Sequence, residues 1–367
     1  MKRINLILTG GHAGTTALAV VMEMKKRHPE WKLFWIGAAW AVEGKNLPTL
    51  ESRVFPQNEV AFHSIFTGRI QRKFSIWTIP SILKIPFGFI HALVLIAKIR
   101  PNLILSFGGF AAFPVVAVGS LLGIPVVIHE QTIAVGRANK FSAPFARAIA
   151  LAREESLGFF PKEKCRVIGN PILAEIEKIV PKKKISTLPT VFVTGGSRGS
   201  MTINSFIDEV LPELLSKYKL IHHTGELEFS KFAKRKAELS EELKDKYQAY
   251  SYIPPAEISE ILAKADILVG RAGANTVSEV VAAKKPSILI PIPFSYMDEQ
   301  SKNAHFAEKF GVAKVLSQEG MTGEKLLKEI DTAVKDWQGV AARVRAKKSP
   351  DIGASGRLVN LVEEFVK

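Results

Sequence analysis

The sequence predicts an α/β protein built from two Rossmann-like parallel-sheet domains that face each other across a cleft. Three observations predict it. One glycine turn occurs twice, 185 residues apart, as Thr9-Gly10-Gly11-His12-Ala13-Gly14 and Thr194-Gly195-Gly196-Ser197-Arg198-Gly199. Each copy follows a short β-type run and opens an apolar-periodic, helix-like stretch. Strand-like and helix-like runs alternate along the whole chain, the pattern of βαβ units. At 367 residues, two cores are favoured over one.

In the first half, β-type composition marks strands at 4–8, 32–36, 103–106, 126–128 and 148–151. The second half repeats the pattern at 191–193, 219–222, 267–269 and 288–291. No charge occurs between Pro101 and His129, a length sufficient to span a bilayer. Its glycines and prolines fall at turn positions, so it parses as strand, glycine turn, helix over about 111–122, glycine cap and strand. The Pro-flanked, lysine-rich run 179–189 reads as a linker, with the boundary beginning near Gly169. Domains are therefore expected at 1–168 and 169–350, with an amphipathic closing helix at about 351–367. Residues 226–248 are mostly charged and predict an exposed helix, and the apolar run from Ile85 to Ala97 a buried one.

Composition excludes several classes. Cys165 is the lone cysteine, which rules out a disulfide framework or a cysteine-based metal site and fits a reducing, cytoplasmic setting. The apolar run after Lys2 and Arg3 is too short for a signal peptide. Net charge is +15 but uneven: residues 1–170 hold 21 Lys and Arg against nine Glu and no Asp, whereas residues 171–367 hold 29 against 26 acids. An excess in one domain points to an anionic partner there, either nucleic acid or anionic lipid.

A strand, a glycine turn and a helix start bring backbone N–H groups and the helix dipole to an anion. The first turn lacks G-x-G-x-x-G spacing, and the next strand has no acidic tip, so it is not a dinucleotide fingerprint. His12 follows Gly-Gly, where an imidazole suits a general base, or simply begins a helix. Ser197 suits a phosphate, or serves as an N-cap. In Gly270-Arg-Ala-Gly-Ala-Asn-Thr-Val-Ser-Glu279, small residues let a ligand approach the backbone and a helix begins near Asn275 or Thr276. Glu279, one turn along, suits paired ribose hydroxyls, with a Thr276/Glu279 capping box as the alternative. Asp298, Glu299, Gln300 and Asn303 follow a strand end and suit sugar hydroxyls. His129-Glu130-Gln131 ends another strand and is expected to face the cleft. Between 66 and 89, Arg69, Arg72, Lys73 and Lys84 mix with Phe74, Trp77, Ile79, Ile82, Leu83 and Phe87. That mixture fits an interfacial membrane patch, with a core helix or an RNA-stacking surface as alternatives.

Taken in order, these motifs resemble the MurG family of peptidoglycan N-acetylglucosaminyltransferases, which convert lipid I to lipid II. The resemblance covers essentially the whole chain, through Thr9-Gly-Gly-His12, Phe107-Gly-Gly-Phe110, Gly123 to Gln131, Gly169-Asn-Pro171, Gly195 to Gly199, His222-His-Thr-Gly225, Arg271 to Glu279 and Asp298-Glu-Gln300. It implies a GT-B fold and inverting, metal-independent and cofactor-free GlcNAc transfer from UDP-GlcNAc to undecaprenyl-diphosphate-MurNAc-pentapeptide, in cell-wall biogenesis, shape and division. The donor belongs in the C-terminal domain. The lipid I-type acceptor and anionic inner-leaflet lipids belong at the N-terminal one, at the cytoplasmic face of the membrane, with no nucleic acid.

By position, the resemblance assigns donor contacts to Thr9, Gly10, Gly11, Thr132, Ser197, Ile253, Ala274, Asn275, Thr276, Val277, Ser278, Glu279 and Gln300. Among them, the Ile253 backbone reads uracil, Glu279 holds ribose and Gln300 meets GlcNAc. His12 is the base, Gly108, Gly109, His129 and Glu130 line the acceptor side, and Arg72, Lys73, Phe74, Trp77, Ile82 and Lys84 form the membrane patch. Three positions depart from the family pattern: Thr132 replaces asparagine, Leu173 replaces arginine, and the first turn lacks its proline. Arg198, in place of glutamine, is a substitute cation. The rivals are another lipid-acceptor glycosyltransferase, such as a diacylglycerol glycosyltransferase, a UDP-GlcNAc 2-epimerase, and a basic RNA-binding protein.

Overall fold

In the computed structural model the described residues are 4–11, 13–42, 45–68 and 83–366. The chain divides into two compact units, Met1–Leu173 with Gly353–Lys367, and Ala174–Ile352.

The first unit contains β1 (Asn5–Gly10), β2 (Lys32–Gly37), a ribbon of β3 (Trp40–Val42) and β4 (Lys45–Pro48), then β5 (Ala61–Ser64), β6 (Leu103–Ser106), β7 (Val126–Glu130), β8 (Ala148–Leu151) and β9 (Cys165–Val167). Its main sheet is parallel in the order β5-β2-β1-β6-β7-β8-β9. Both faces are covered, so central strands such as Leu103–Ser106 are wholly buried and read as continuous apolar runs. The uncharged stretch resolves as β6, helix Ala112–Leu121 and β7. Among the described residues no helix is long and apolar enough to cross a membrane.

The second unit contains β10 (Thr190–Thr194), β11 (Lys219–His223), β12 (Tyr247–Tyr250), β13 (Ile267–Gly270), β14 (Ser287–Leu289) and β15 (Ala313–Val315). They form a parallel sheet in the order β12-β11-β10-β13-β14-β15. In each sheet the chain winds outward from its first strand and then restarts on the other side, so a topological switch point lies between β1 and β6 and between β10 and β13. Open α/β sheets bind ligands at such points, beyond the carboxyl ends of the strands.

The closing helix Ala354–Glu363 returns to the first unit and packs on helix Gly14–Arg27. Arg357 Nε donates to Ile168 O at 2.8 Å, Ser355 Oγ to Ile172 O at 3.2 Å, and His28 Nε2 meets Glu363 at 2.7 Å.

Two element expectations are corrected. Residues 226–248 do not form one helix: Phe229–Ala237 and Glu241–Lys244 are separate and lead into β12. Phe232 is fully buried, and Leu239 and Leu243 across the break pack on the same core, while the charged face stays in water. Helix Ile85–Ile99 is not buried all round. Gly88, Ala92, Leu95, Ile96 and Ile99 pack inward, whereas Phe87, Ile90, Leu93 and Val94 are exposed.

Candidate functional site

The loops at the carboxyl ends of β10, β11 and β13 meet tightly in the second unit. Gly199 adopts φ +73°, and a Cβ there would lie 2.1 Å from Thr224 O, so only glycine lets the first two loops touch. Helix Met201–Lys217 is capped by Ser200, whose Oγ accepts from Ile203 N at 3.4 Å. The N-cap alternative therefore falls to Ser200, and Ser197 stands exposed at the turn.

Arg271 fastens this arrangement. Its guanidinium is buried and donates through Nε to Ser200 Oγ (3.0 Å), through Nη1 to Ile290 O (3.0 Å) and through Nη2 to Gln318 (2.7 Å). One side chain thereby ties the loops after β10, β13, β14 and β15. Nothing local to Arg271 in the sequence signals this role, because its partners lie 19 to 71 residues away.

The helix after β13 spans Ala274–Ala282, with Gly273 as an N-cap that has no side chain to satisfy first-turn amides. Ala274, Asn275 and Thr276 occupy that first turn, partly exposed, while Val277 and Ser278 are buried. The helix begins earlier than expected, and no capping box forms. Glu279 makes no side-chain bond among the described residues, and burial pushes its carboxyl up to about 8. A carboxylate one turn inside a helix start, partly exposed and without a protein donor, is suited to hydroxyls brought by a ligand.

Ile253 is buried just beyond β12. Gln300 Oε1 accepts from Ile292 N at 3.1 Å, which leaves its amide as a donor. Ahead of it, Met297 and Asp298 sit in the left-handed region at φ 53° and 54°, a conformation that concentrates at functional loops. Asn303 is buried and donates to Ala272 O at 3.3 Å, bracing its helix against the loop after β13.

In the first unit the switch point is also glycine on glycine. Gly11 N donates to Gly108 O at 2.9 Å, and a Cβ on Gly109 would lie 2.7 Å from Gly11 N. Gly10 sits between Trp35 and Phe107, and buried Thr9 donates to Ile36 O at 2.8 Å. The following helix start differs from its counterpart: Gly14 N donates to the buried Glu51 carboxylate at 3.1 Å. This internal anion was not foreseen, since Glu51 lies 37 residues away.

The expectation that His129 and Glu130 face an open cleft is corrected. Both are buried, because β7 is a central strand: the His129 ring packs against Phe107 and meets Gly169 O, while Glu130 is held by the loop to Ser142. Burial depresses the His129 imidazole to about 4 and raises the Glu130 carboxyl. Glu130 accepts from Thr132 N (3.1 Å), Thr132 Oγ1 (2.9 Å), Gly136 N (3.1 Å) and Asn139 Nδ2 (2.9 Å). Thr132 is thus occupied in holding its own loop. Leu173 lies buried in the core, which accounts for an apolar residue there. Lys84 Nζ lies 5.7 Å above the Phe66 ring. His12, Arg69, Arg72, Lys73, Phe74, Trp77, Ile79 and Ile82 lie outside the described residues.

Comparison with known proteins places the two units in a family. The glycosyltransferase family 28 N-terminal domain matches residues 6–151, and its C-terminal domain residues 190–354. A protein of Pediococcus pentosaceus named UDP-N-acetylglucosamine--N-acetylmuramyl-(pentapeptide) pyrophosphoryl-undecaprenol N-acetylglucosamine transferase is 31% identical over 98% of both chains. A protein of that name from Bacillus subtilis is 30% identical over 98% of both. The crystal structure of Acinetobacter baumannii MurG aligns with a TM-score of 0.67 at 22% identity, over 98% of this chain and 99% of that one. UDP-GlcNAc 2-epimerase from Neisseria meningitidis, bound to UDP-GlcNAc, shares the fold at a TM-score of 0.63 and 12% identity, over 98% and 99%. With both domains matched and full-length relatives above 30% identity, this chain belongs to glycosyltransferase family 28, among its MurG-type members.

Proposed function

We propose that the chain transfers GlcNAc from UDP-GlcNAc to the undecaprenyl-diphosphate-linked MurNAc-pentapeptide, producing lipid II. The observation that carries this reading is the unpartnered, partly exposed Glu279 carboxylate, its pKa pushed up by the protein around it, one turn inside a helix without a side-chain cap. The amides of 274–276 receive the donor diphosphate, with Ser197 beside them. Glu279 accepts from the ribose hydroxyls, the Ile253 backbone meets the uracil edge, and the Gln300 amide donates to the sugar.

In the reaction, an acceptor hydroxyl attacks the anomeric carbon from the face opposite UDP. The new C–O bond forms as the bond to the diphosphate breaks, and the configuration inverts. His12 takes the hydroxyl proton, while the helix-tip amides stabilise the charge gathering on the departing diphosphate. Thr9, Gly10 and Gly11 border the donor; Gly108 and Gly109, packed on that turn, border the acceptor. His129, Glu130 and Thr132 support this wall from within.

The first unit is assigned to the lipid acceptor. Its exposed apolar groups Phe66, Leu83, Phe87, Ile90, Leu93 and Val94 lie beside Lys84 and in chain continuity with the basic, aromatic 69–82 segment. Such a surface fits the cytoplasmic leaflet, with aromatic side chains at the acyl boundary and cations at anionic headgroups.

Incubating the protein with UDP-GlcNAc and lipid I should produce lipid II, and His12→Ala should lower kcat by about 10²–10⁴. Donor binding without lipid II would direct the assignment to another acceptor. Epimerised UDP-sugar formed without lipid would transfer it to the epimerases.

A further inference from the structure

The opposite end of the second sheet, where β10, β13 and β14 begin, holds a pocket of about 170 Å³ that plays no part in the donor reading. Its lining includes Lys182, Lys183, Lys284, Lys285, Arg345 and Trp337, and no acidic side chain. Residues 171–367 hold 29 basic against 26 acidic residues, so this lining departs from the charge balance of its surroundings.

The five cations are held in different ways. Lys182 is neutralised by Asp266, with Nζ 2.8 Å from Oδ1. Lys285 is 3% exposed and donates to Ala265 O, and burial, reinforced by the Lys182 charge, depresses its ammonium to about 8. Lys284, at φ +51°, is turned so that Nζ donates to Arg345 O at 2.5 Å. The Lys183 and Arg345 side chains are exposed and make no bond among the described residues. Trp337, buried and pinned through Nε1 to Asp266 O at 2.9 Å, forms a rigid apolar wall.

We propose that this pocket is a binding site for a phosphate-bearing anion, separate from the donor loops. One carboxylate behind the wall offsets one lysine, and the other four cationic residues line a space that no acidic side chain borders. Gathering like charges is unfavourable, and a multiply charged oxyanion reverses the sign of that interaction while accepting charge-assisted hydrogen bonds. Sites for drug-sized ligands are larger, about 300–1,000 Å³. The space therefore suits one or two phosphate groups rather than a nucleotide. A free pyrophosphate-like anion and a phospholipid headgroup share this chemistry.

The test uses the full chain with its donor site saturated by UDP. Calorimetry with inorganic pyrophosphate should show binding that weakens at least tenfold in the double variant K183E/R345E, while UDP affinity stays unchanged. Both substituted side chains are exposed and unbonded, and a parallel K183Q/R345Q variant, with thermal melting, separates lost binding from lost folding. Flotation with phosphatidylglycerol vesicles distinguishes the sources. A further decrease in the double variant identifies the headgroup, and pyrophosphate binding alone identifies a free anion. Absence of both, or binding equal in wild type and variants, would overturn the proposal.

Discussion

At the scale of single residues, Glu279 carries the sharpest expectation. Its carboxyl stands at about 8 because burial disfavours the charged form and no donor compensates. Ribose hydroxyls donate only to the carboxylate's benefit, so donor binding favours the ionised form and releases a proton at neutral pH. UDP-GlcNAc affinity should therefore rise between about pH 6.5 and 8.5, a dependence that Glu279→Gln removes. Glu279→Ala should weaken binding by about 1.5–3 kcal/mol, roughly tenfold to more than a hundredfold. Calorimetry across this pH range checks both, and a flat profile in the wild type would dissociate Glu279 from the ligand. The residue was legible in the sequence because its argument is local: glycine and alanine before a helix, and an acid one turn in. Arg271, Glu51 and the capping Ser200 act through distant partners or a one-turn shift of the helix start, which a linear reading does not carry. His129 faces inward for the same kind of reason, since its ring packs against Phe107 and meets Gly169 O, which lies 40 residues on.

Among the elements, central strands were the easiest to read and edge strands the hardest. β6 and β8 are continuous apolar runs buried on both faces, and their sequence limits coincide with the structural ones. β5, β9, β12 and β15 were not identified: all lie toward sheet edges, are three or four residues long, and mix polar with apolar side chains. Helix Ile85–Ile99 was identified but taken for an interior element, because composition alone does not separate a face turned to the core from one turned outward. Its exposed face yields the second expectation. Replacing Phe87, Ile90 and Val94, which are 60%, 60% and 57% exposed, with serine removes little buried area. Binding to anionic vesicles should drop at least tenfold, with the melting temperature shifted by only a few degrees. Unchanged flotation would remove this helix from the membrane surface.

At the scale of the whole molecule, the titrating groups set an acid limit. His129, His222 and His223 are held neutral by burial, at about 4, 3 and 4. An imidazole depressed in the fold binds its proton more readily when unfolded, so stability declines as pH falls from about 6.5 toward 4. Glu130 and Glu279, raised by burial, act in the opposite sense over part of this window. With His63 also lowered by burial, four imidazoles oppose two carboxyls, and the expected balance is a net loss. The urea midpoint should be lower at pH 5 than at pH 7, and Glu279→Gln should steepen the decline; equal midpoints would show that water or local opening already serves these rings. The duplicated α/β plan was visible in the sequence because it repeats, whereas the pairing of the last helix with the first joins the two extremes of the chain.

That pairing has a temporal side. A nascent polypeptide emerges from the ribosome at about 5–20 residues per second and folds by domains. The first unit is not complete until residues 354–363 appear, because that helix supplies the cover for Gly14–Arg27. The unit begun second has all its strands translated before then. Helix Gly14–Arg27 therefore waits for this cover while more than three hundred further residues are translated.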